Sequence, residues 1–509
     1  MDLPTCATQV SRLQFRHVLR STFVLAPTIS STHTPQRRPR HKPSETLHQR
    51  RQTHTRRNVS STAFDLHSNP QPESHPVEMA LLRPLSCLPL STLIRSYTIT
   101  SVSSVPFLLN PSLKFLTFLT RTKNPFLDPD RNPVLHFLLK KTFYAQFCAG
   151  ETPAEARKTI EDLKDTGYEG VILGHAREVV LSKEEAEGLE VLEDDGSETA
   201  INTQEINEWK QNLVETIALS QKGDFVALKF TGAGRQALKH LKATIACAPE
   251  FEMAVHEICQ SAEQKGVKLL FDAEQTTLQE GIDNWTMYFA KIYNKERALV
   301  HGTYQAYARK TPQVLARHLN MALENDFVLG IKLVRGAYLG SDPRDLFWST
   351  IEETHQCYDS LARSVIQSKY GKMLTPVEGG SATFPRVGLV LATHNAESVR
   401  LAGQLRDLQA QRGEARIELA YGQLMGMADN VSCQVVQTAR ARSRYQSTGE
   451  QANVEVPKAY KYLVWGSMGE CMKYLLRRAH ENRDAVTRTV EARQALGREL
   501  GSRLLFWRN

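Results

Sequence analysis

Leu329-Gly-Ile-Lys-Leu-Val334 is a short apolar run set between two longer helical patterns, 311–325 before it and 347–369 after it. A run of six with helical neighbours reads as one strand of an alternating strand–helix chain. The same unit recurs in both directions along the sequence. On the N-terminal side stand Ala298–Thr303, Val267–Asp272, Phe225–Phe230 and Gly170–Gly174; on the C-terminal side stand Val387–Ala392, Ile417–Tyr421 and Tyr460–Val464. Helical stretches at 237–246, 250–264, 281–295, 395–411, 428–443 and 469–499 separate them. Eight units predict an α/β fold, a (β/α)8 barrel, with a doubly wound parallel sheet as the alternative. Insertions at 183–210 (acid-rich from Glu184 to Glu198), 370–385 and 442–457 read as surface segments.

The chain has 509 residues, 41% of them apolar and 23% charged, which is globular composition. Its net charge of +8 invites a nucleic-acid reading, but the excess is local. Residues 1–60 hold eleven Lys/Arg against Asp2 and Glu45, giving +9, so the other 449 residues sum to 8 − 9 = −1. No nucleic-acid role follows from that. Eight cysteines occur without a C-x-x-C pair or a close Cys/His set, so reduced thiols are expected and no metal site is indicated. No apolar run is long enough for a transmembrane helix.

Residues 1–78 are Arg-, Ser- and His-rich and acid-poor, the composition of a disordered mitochondrial transit leader; the cluster Gln36–Lys42 also fits a nuclear-localisation or polyanion-binding segment. A second leader-like stretch starts at Met79, an alternative start. From there to Leu127 stand Arg83, Arg95, Lys114, Arg121 and Lys123 and no acid, with Pro106 and Pro111 expected to interrupt any long helix. Residues 79–143 therefore form an extension ahead of a barrel spanning 144–509. Within it, 107–143 suits either a surface-lying amphipathic segment or packing against the main domain.

A barrel collects its chemistry at the strand C-termini. Polar residues recur there: Lys229, Asp272, Thr303, Gln305, Lys332, Arg335, His394, Asn395, Gln423 and Tyr462. Gly232-Ala-Gly234-Arg-Gln-Ala237 imitates a dinucleotide fingerprint, but no strand-ending acid follows about twenty residues on, and a Gly-rich strand–helix loop is the better reading. Tyr474, Arg477, Arg478 and Glu481 share one helical face, a stripe able to grip a carboxylate through paired guanidinium groups. Glu481 is expected to hold one arginine and Asp272 another. His394 lacks plausible partners for a metal, and no nucleophilic triad or carboxylate pair stands out.

Taken together, Phe271-Asp-Ala-Glu274, Thr303-Tyr-Gln-Ala-Tyr307, Lys332-Leu-Val-Arg-Gly-Ala-Tyr338, Ala392-Thr-His-Asn395, Gly422-Gln-Leu-Met-Gly-Met427 and Tyr474-Leu-Leu-Arg-Arg478 with Glu481 closely resemble proline dehydrogenase, in that family's order over about residues 144–505. The leader and Lys140–Gly150 resemble its fungal mitochondrial branch. The resemblance implies a distorted (β/α)8 barrel holding non-covalent FAD at the strand ends. It implies oxidation of L-proline to 1-pyrroline-5-carboxylate by hydride transfer to the flavin, with electrons passed to ubiquinone at the matrix side of the inner mitochondrial membrane. By position, Arg477 and Arg478 would bind the proline carboxylate with Lys229 nearby, and Asp272 and Glu481 would orient the basic groups. Tyr338, Leu424, Tyr462 and Tyr474 would enclose the ring. Gln305, Lys332, Val334, Arg335, Gly336, Ala337, Thr350, Thr393, His394, Asn395 and Gln423 would contact FAD. The bulky Tyr462 favours proline over hydroxyproline. Ser349 and Glu352 depart from the bacterial pattern, where basic residues stand.

Overall fold

The computed structural model describes residues 83–121, 124–176, 197–447, 454–484 and 486–506. The leader 1–78 and the acidic run 184–196 lie outside the described residues. Nine parallel strands form one sheet: β1 (Cys148–Gly150), β2 (Gly170–His175), β3 (Phe225–Leu228), β4 (Lys268–Phe271), β5 (Val300–Gln305), β6 (Leu329–Val334), β7 (Val387–Ala392), β8 (Glu418–Leu424) and β9 (Lys458–Trp465). The order β2-β3-β4-β5-β6-β7-β8-β9 closes on itself through β9–β2. This is an eight-stranded barrel, and the doubly wound alternative falls.

The barrel is distorted at one seam. β8 pairs with β9 only as far as Leu424↔Tyr462, and the short β1 takes over at Val464 and Trp465. That ninth strand has no counterpart among the eight expected. Two helix expectations also change. The stretch 469–499 is two helices, Met468–Asp484 and Val486–Phe506, and the helix Asp429–Ser447 continues beyond 443 into what read as loop.

Side chains alternate between the two faces of each strand. Ile172, Phe225, Ala227, Leu270, Val390, Ala420 and Tyr460 form one buried cluster inside the barrel, while their strand neighbours Val226, Leu269, Phe271, Leu389 and Leu391 join the larger cluster beneath the surrounding helices. Advancing the inner set by two residues at the strand ends gives Lys229, Asp272 and Tyr462. The same alternation, with Ile331 and Leu333 outward, turns Lys332 inward.

Ahead of the barrel lie helices Leu90–Ser103, Pro106–Arg121 and Pro133–Leu139. Pro106 starts its helix, where the missing N–H costs nothing. Pro111 lies inside the same helix without ending it, contrary to expectation. The compensation is packing: Leu109, Leu113, Leu116 and Leu119 form a buried stripe with Met468, Cys471, Met472 and Leu475 of the 468–484 helix. Each such burial contributes up to about 2 kcal/mol. The extension is thus docked on the helix that carries the arginine pair.

Two buried histidines set an acid limit. Burial, aided by the Lys268 charge, pushes His301 down to about 4, and burial pushes His318 to about 3. Both are neutral when folded and take up a proton once unfolded. Stability therefore falls as pH drops from roughly 6.5 towards 4, by about 1.4 kcal/mol per unit for each histidine. Asp283, raised by burial to about 7, opposes one of them in that window because its folded carboxyl stays protonated. His301→Leu should flatten the slope by about 1.4 kcal/mol per unit. Urea titrations across that interval measure it, and an unchanged slope would show that this imidazole does not enter the linkage.

Candidate active site

Four of the expected residues meet at the barrel mouth. Asp272 Oδ2 accepts from Lys229 Nζ at 3.2 Å and from the Tyr462 hydroxyl at 3.1 Å, and Oδ1 accepts from Lys332 Nζ at 2.5 Å. Lys332 also lies over the Tyr462 ring, 5.1 Å from its centre. Burial alone would raise the Asp272 carboxyl; the ammonium groups of Lys332 and Lys229 outweigh it and hold the pKa at about 2. Asp272 is engaged by two lysines and a tyrosine rather than by an arginine. The reason is strand parity, which turns residues of β3, β4, β6 and β9 into one layer. A cleft beside this layer is lined by His175, Trp209, Leu213, Lys229 and Tyr462.

A second network spans β5 to β8. Arg335 donates from Nη1 to Thr393 Oγ1 at 2.6 Å, from Nη2 to Ser398 Oγ at 2.9 Å and from Nε to His355 Nδ1 at 2.9 Å, and it lies 4.2 Å over the Tyr358 ring. Gln423, almost fully buried, donates to the Thr393 carbonyl at 3.2 Å. His394 Nε2 accepts from the Leu424 backbone N–H, and Asn395 caps the helix Ala396–Gln411. Gln305 links the Glu274 carbonyl to the Ala337 N–H. Between them Gly336 has φ +152°, and a Cβ there would sit 2.4 Å from the Tyr307 ring, so the backbone passes where only glycine fits. Val334 ends β6 half-buried; Thr350 opens helix Ile351–Gln367, its hydroxyl and N–H used in a capping box with Glu353.

The third part is the helix Met468–Asp484. Its first N–H groups are capped from two sides: Met468 N–H donates to Glu151, just after β1, at 3.1 Å, and Gly469 N–H to both oxygens of Asp130 in the extension at 3.1 Å. Carboxylates at a helix N-terminus are electrostatically favourable. Asp130, His136 and Glu151 bring their ligand atoms within 4.8 Å, but Glu151 already pairs with Lys140 at 2.6 Å, so the group reads as a cap. Further along, Arg478 is 3% exposed, pairs with Glu481 at 2.7 Å and lies 5.0 Å over the Tyr474 ring. Arg477, next to it, is half-buried. Tyr474 belongs to the buried cluster against which Leu424 and Tyr462 pack, and burial raises its phenol, keeping it protonated. Tyr338 is buried beyond β6, in the loop that holds Gly336.

Several structural partners were not singled out from sequence. Glu274, inside a quoted motif, accepts from the Thr231 N–H and hydroxyl. Lys461, 2% exposed, pairs with Asp429 at 2.7 Å and donates to the Leu424 and Met427 carbonyls. Gln146 ties the Gly426 carbonyl to Ser96 of the extension. A lysine within the apolar run Tyr460–Val464 is visible in the sequence, but its partners are not. The Gly232–Ala237 loop is no phosphate cradle: Glu205 accepts the first helical N–H, of Arg235, at 3.0 Å, and a Cβ on Gly234 would collide with that carboxylate.

A sequence profile described as proline dehydrogenase matches residues 156–491. The chain belongs to the proline dehydrogenase family. It is 28% identical over 406 residues to the probable mitochondrial proline dehydrogenase of Schizosaccharomyces pombe, covering 70% of this chain and 80% of that one. It is 27% identical over 416 residues to hydroxyproline dehydrogenase of Bos taurus, covering 72% of this chain and 82% of that one. Among solved structures, proline utilization A from Bdellovibrio bacteriovorus, inactivated by N-propargylglycine, superposes with a TM-score of 0.54 at 14% identity. That match covers 80% of this chain and 41% of the other, and it supports the family barrel as a fold.

Proposed function

We propose that this protein oxidises L-proline to 1-pyrroline-5-carboxylate, the first step of proline catabolism, using non-covalent FAD and passing the electrons to ubiquinone. The reading places it in the mitochondrion, peripherally on the matrix side of the inner membrane. It divides the chain into a leader (1–78), an extension (79–143) and the catalytic barrel (144–509). One observation carries most of the weight in a chain of this family: a buried arginine, Arg478, beside Arg477 on a helix whose Tyr474 packs with Leu424 and Tyr462 of the barrel mouth.

The residues fit both ligands. Buried polar atoms without a hydrogen-bond partner include Gln423 Oε1, Tyr474 Oη and Arg478 Nε. Leaving such atoms unsatisfied is costly, so a polar ligand at this face relieves them. The Gln423 carbonyl suits a flavin ring N–H and the Arg478 guanidinium a carboxylate. Gln305, Lys332, Val334, Arg335, Gly336, Ala337, Thr350, Thr393, His394, Asn395 and Gln423 would hold FAD, which supplies the hydride acceptor when bound. Arg477 and Arg478 pin the proline carboxylate, and Lys229 adds positive charge on the same side. Tyr338, Leu424, Tyr462 and Tyr474 exclude water and fit an apolar ring. Pinning so small a substrate removes most of its orientational freedom, which is what close approach to an acceptor requires. Asp272 and Glu481 fix the basic groups.

Purified protein is expected to be yellow with flavin absorbance that bleaches anaerobically on adding proline. Colourless protein, or flavin that proline leaves oxidised, would sink the reading. Steady-state comparison with hydroxyproline tests the substrate, and a clear hydroxyproline preference would replace proline.

A further inference from the structure

Among the described residues, 22 large apolar side chains are exposed, and 11 of them fall between Leu90 and Leu138. The group includes every exposed phenylalanine: Phe107, Phe115, Phe118, Phe126 and Phe137. The helix Pro106–Arg121 shows why this is unusual. Its inner face is the Leu109–Leu119 stripe already packed on the 468–484 helix, yet its outer face carries Phe107, Leu108, Phe115 and Phe118, exposed by 84%, 45%, 47% and 53%. The helix Leu90–Ser103 repeats the pattern: Leu93 and Ser96 are buried, while Leu90, Ile94 and Tyr97, one helical stripe, are exposed by 50%, 51% and 39%. A surface helix of a globular protein is polar on its outer side; an apolar outer stripe of this size marks an interaction surface.

Charge decides the occupant. From Arg83 to Leu127 the chain has no acid; Arg83 and Arg95 are engaged by Glu499 and Gln146, and Lys114 stands exposed within the aromatic stripe. A second copy of this face would bring like charge against like charge. Residues 1–60 carry +9 and are no better matched. An anionic bilayer is complementary on both counts: aromatic and aliphatic side chains enter the headgroup boundary while Lys114 meets the acidic headgroups. No single described helix is long and apolar enough to span a bilayer, and the two helices meet at 96°. We propose that the outer faces of helices Leu90–Ser103 and Pro106–Arg121 seat this protein on the surface of an anionic membrane, lying in the interface. The proposal deepens the membrane side of the reading above and rests on that reading only for which membrane is meant.

The test is flotation of the full chain with vesicles of phosphatidylcholine, with and without phosphatidylglycerol. Binding should be strong with the anionic lipid, weak with the neutral one and reduced by salt. The double variant Phe115→Ser/Phe118→Ser should bind at least ~10-fold less, since two apolar anchors are lost. Lys114→Glu should weaken binding to the anionic vesicles selectively. Both changes are at exposed positions, so the thermal midpoint should stay put. Equal flotation of the double variant and the unaltered chain would overturn the proposal. So would a solution dimer that the double variant converts to monomer, because the occupant would then be a second copy. Flotation is scored without proline, so protein that floats but does not oxidise proline counts against the activity alone.

Discussion

Arg478→Met and Arg477→Met are each expected to raise the proline KM by roughly 100-fold while changing kcat much less. A charge-assisted hydrogen bond contributes about 1.5–3 kcal/mol, and a guanidinium offers a carboxylate two of them; each 1.36 kcal/mol is tenfold. Arg478 is the more sensitive of the two. It is buried, its geometry is fixed by Glu481 at 2.7 Å and by the Tyr474 ring, and its Nε has no other hydrogen-bond partner. Methionine keeps the apolar stem and removes the charge, and the partner left behind, Glu481, retains 31% side-chain exposure and so remains solvated. The fold should therefore survive. Flavin absorbance and thermal midpoint near those of the unaltered protein, with KM raised, identify a carboxylate clamp. An unchanged KM in both variants would remove it.

Asp272→Ala is expected to cost about 3–5 kcal/mol of stability, the range for breaking a buried ion pair from one side. The cost is high because the carboxylate serves two cations: Lys332 and Lys229 both lie within 3.2 Å of it, with side chains 7% and 15% exposed. Without it two ammonium groups face each other with little water. Lys332→Met in the Asp272→Ala background should recover part of the loss by removing one of them, a coupling that a double-mutant cycle reads directly. If the second change gives no recovery, repulsion between the lysines is not the cause. The pH dependence has a definite sign. The folded carboxyl titrates near 2, below its unfolded value of about 3.9, so its stabilisation is complete above the unfolded value and is lost as pH falls through the folded one. The variant should therefore lose the part of the acid sensitivity that lies between roughly pH 4 and 2.

The barrel was legible because its signal is local. Runs such as Leu329–Val334 are bounded by helical patterns, and the βα alternation leaves few folds open. The Tyr474–Glu481 stripe was legible for the same reason, since helical spacing alone puts those residues on one face. The seam was not: β1 is three residues long and exists because β8 leaves the upper edge of β9 to be paired. Nor was the partner of Asp272, which depends on strand parity and register across β3, β4, β6 and β9. Gln146 and Lys461 were hidden likewise, because each acts on the 424–427 backbone from residues 34 or more positions away.

By itself, the sequence determined the eight strand–helix units, the family motifs and the segregation of positive charge into the N-terminal residues, all properties of neighbours along the chain. Only the tertiary structure decided that Asp272 pairs with two lysines, that Glu205 fills the glycine loop, and that the helix bearing Arg477 and Arg478 is capped by Asp130 and Glu151, which precede it in the chain. The physical reason is that a buried charge takes whichever opposite charge the closed barrel brings within about 3 Å, and closure joins residues that sequence spacing does not relate.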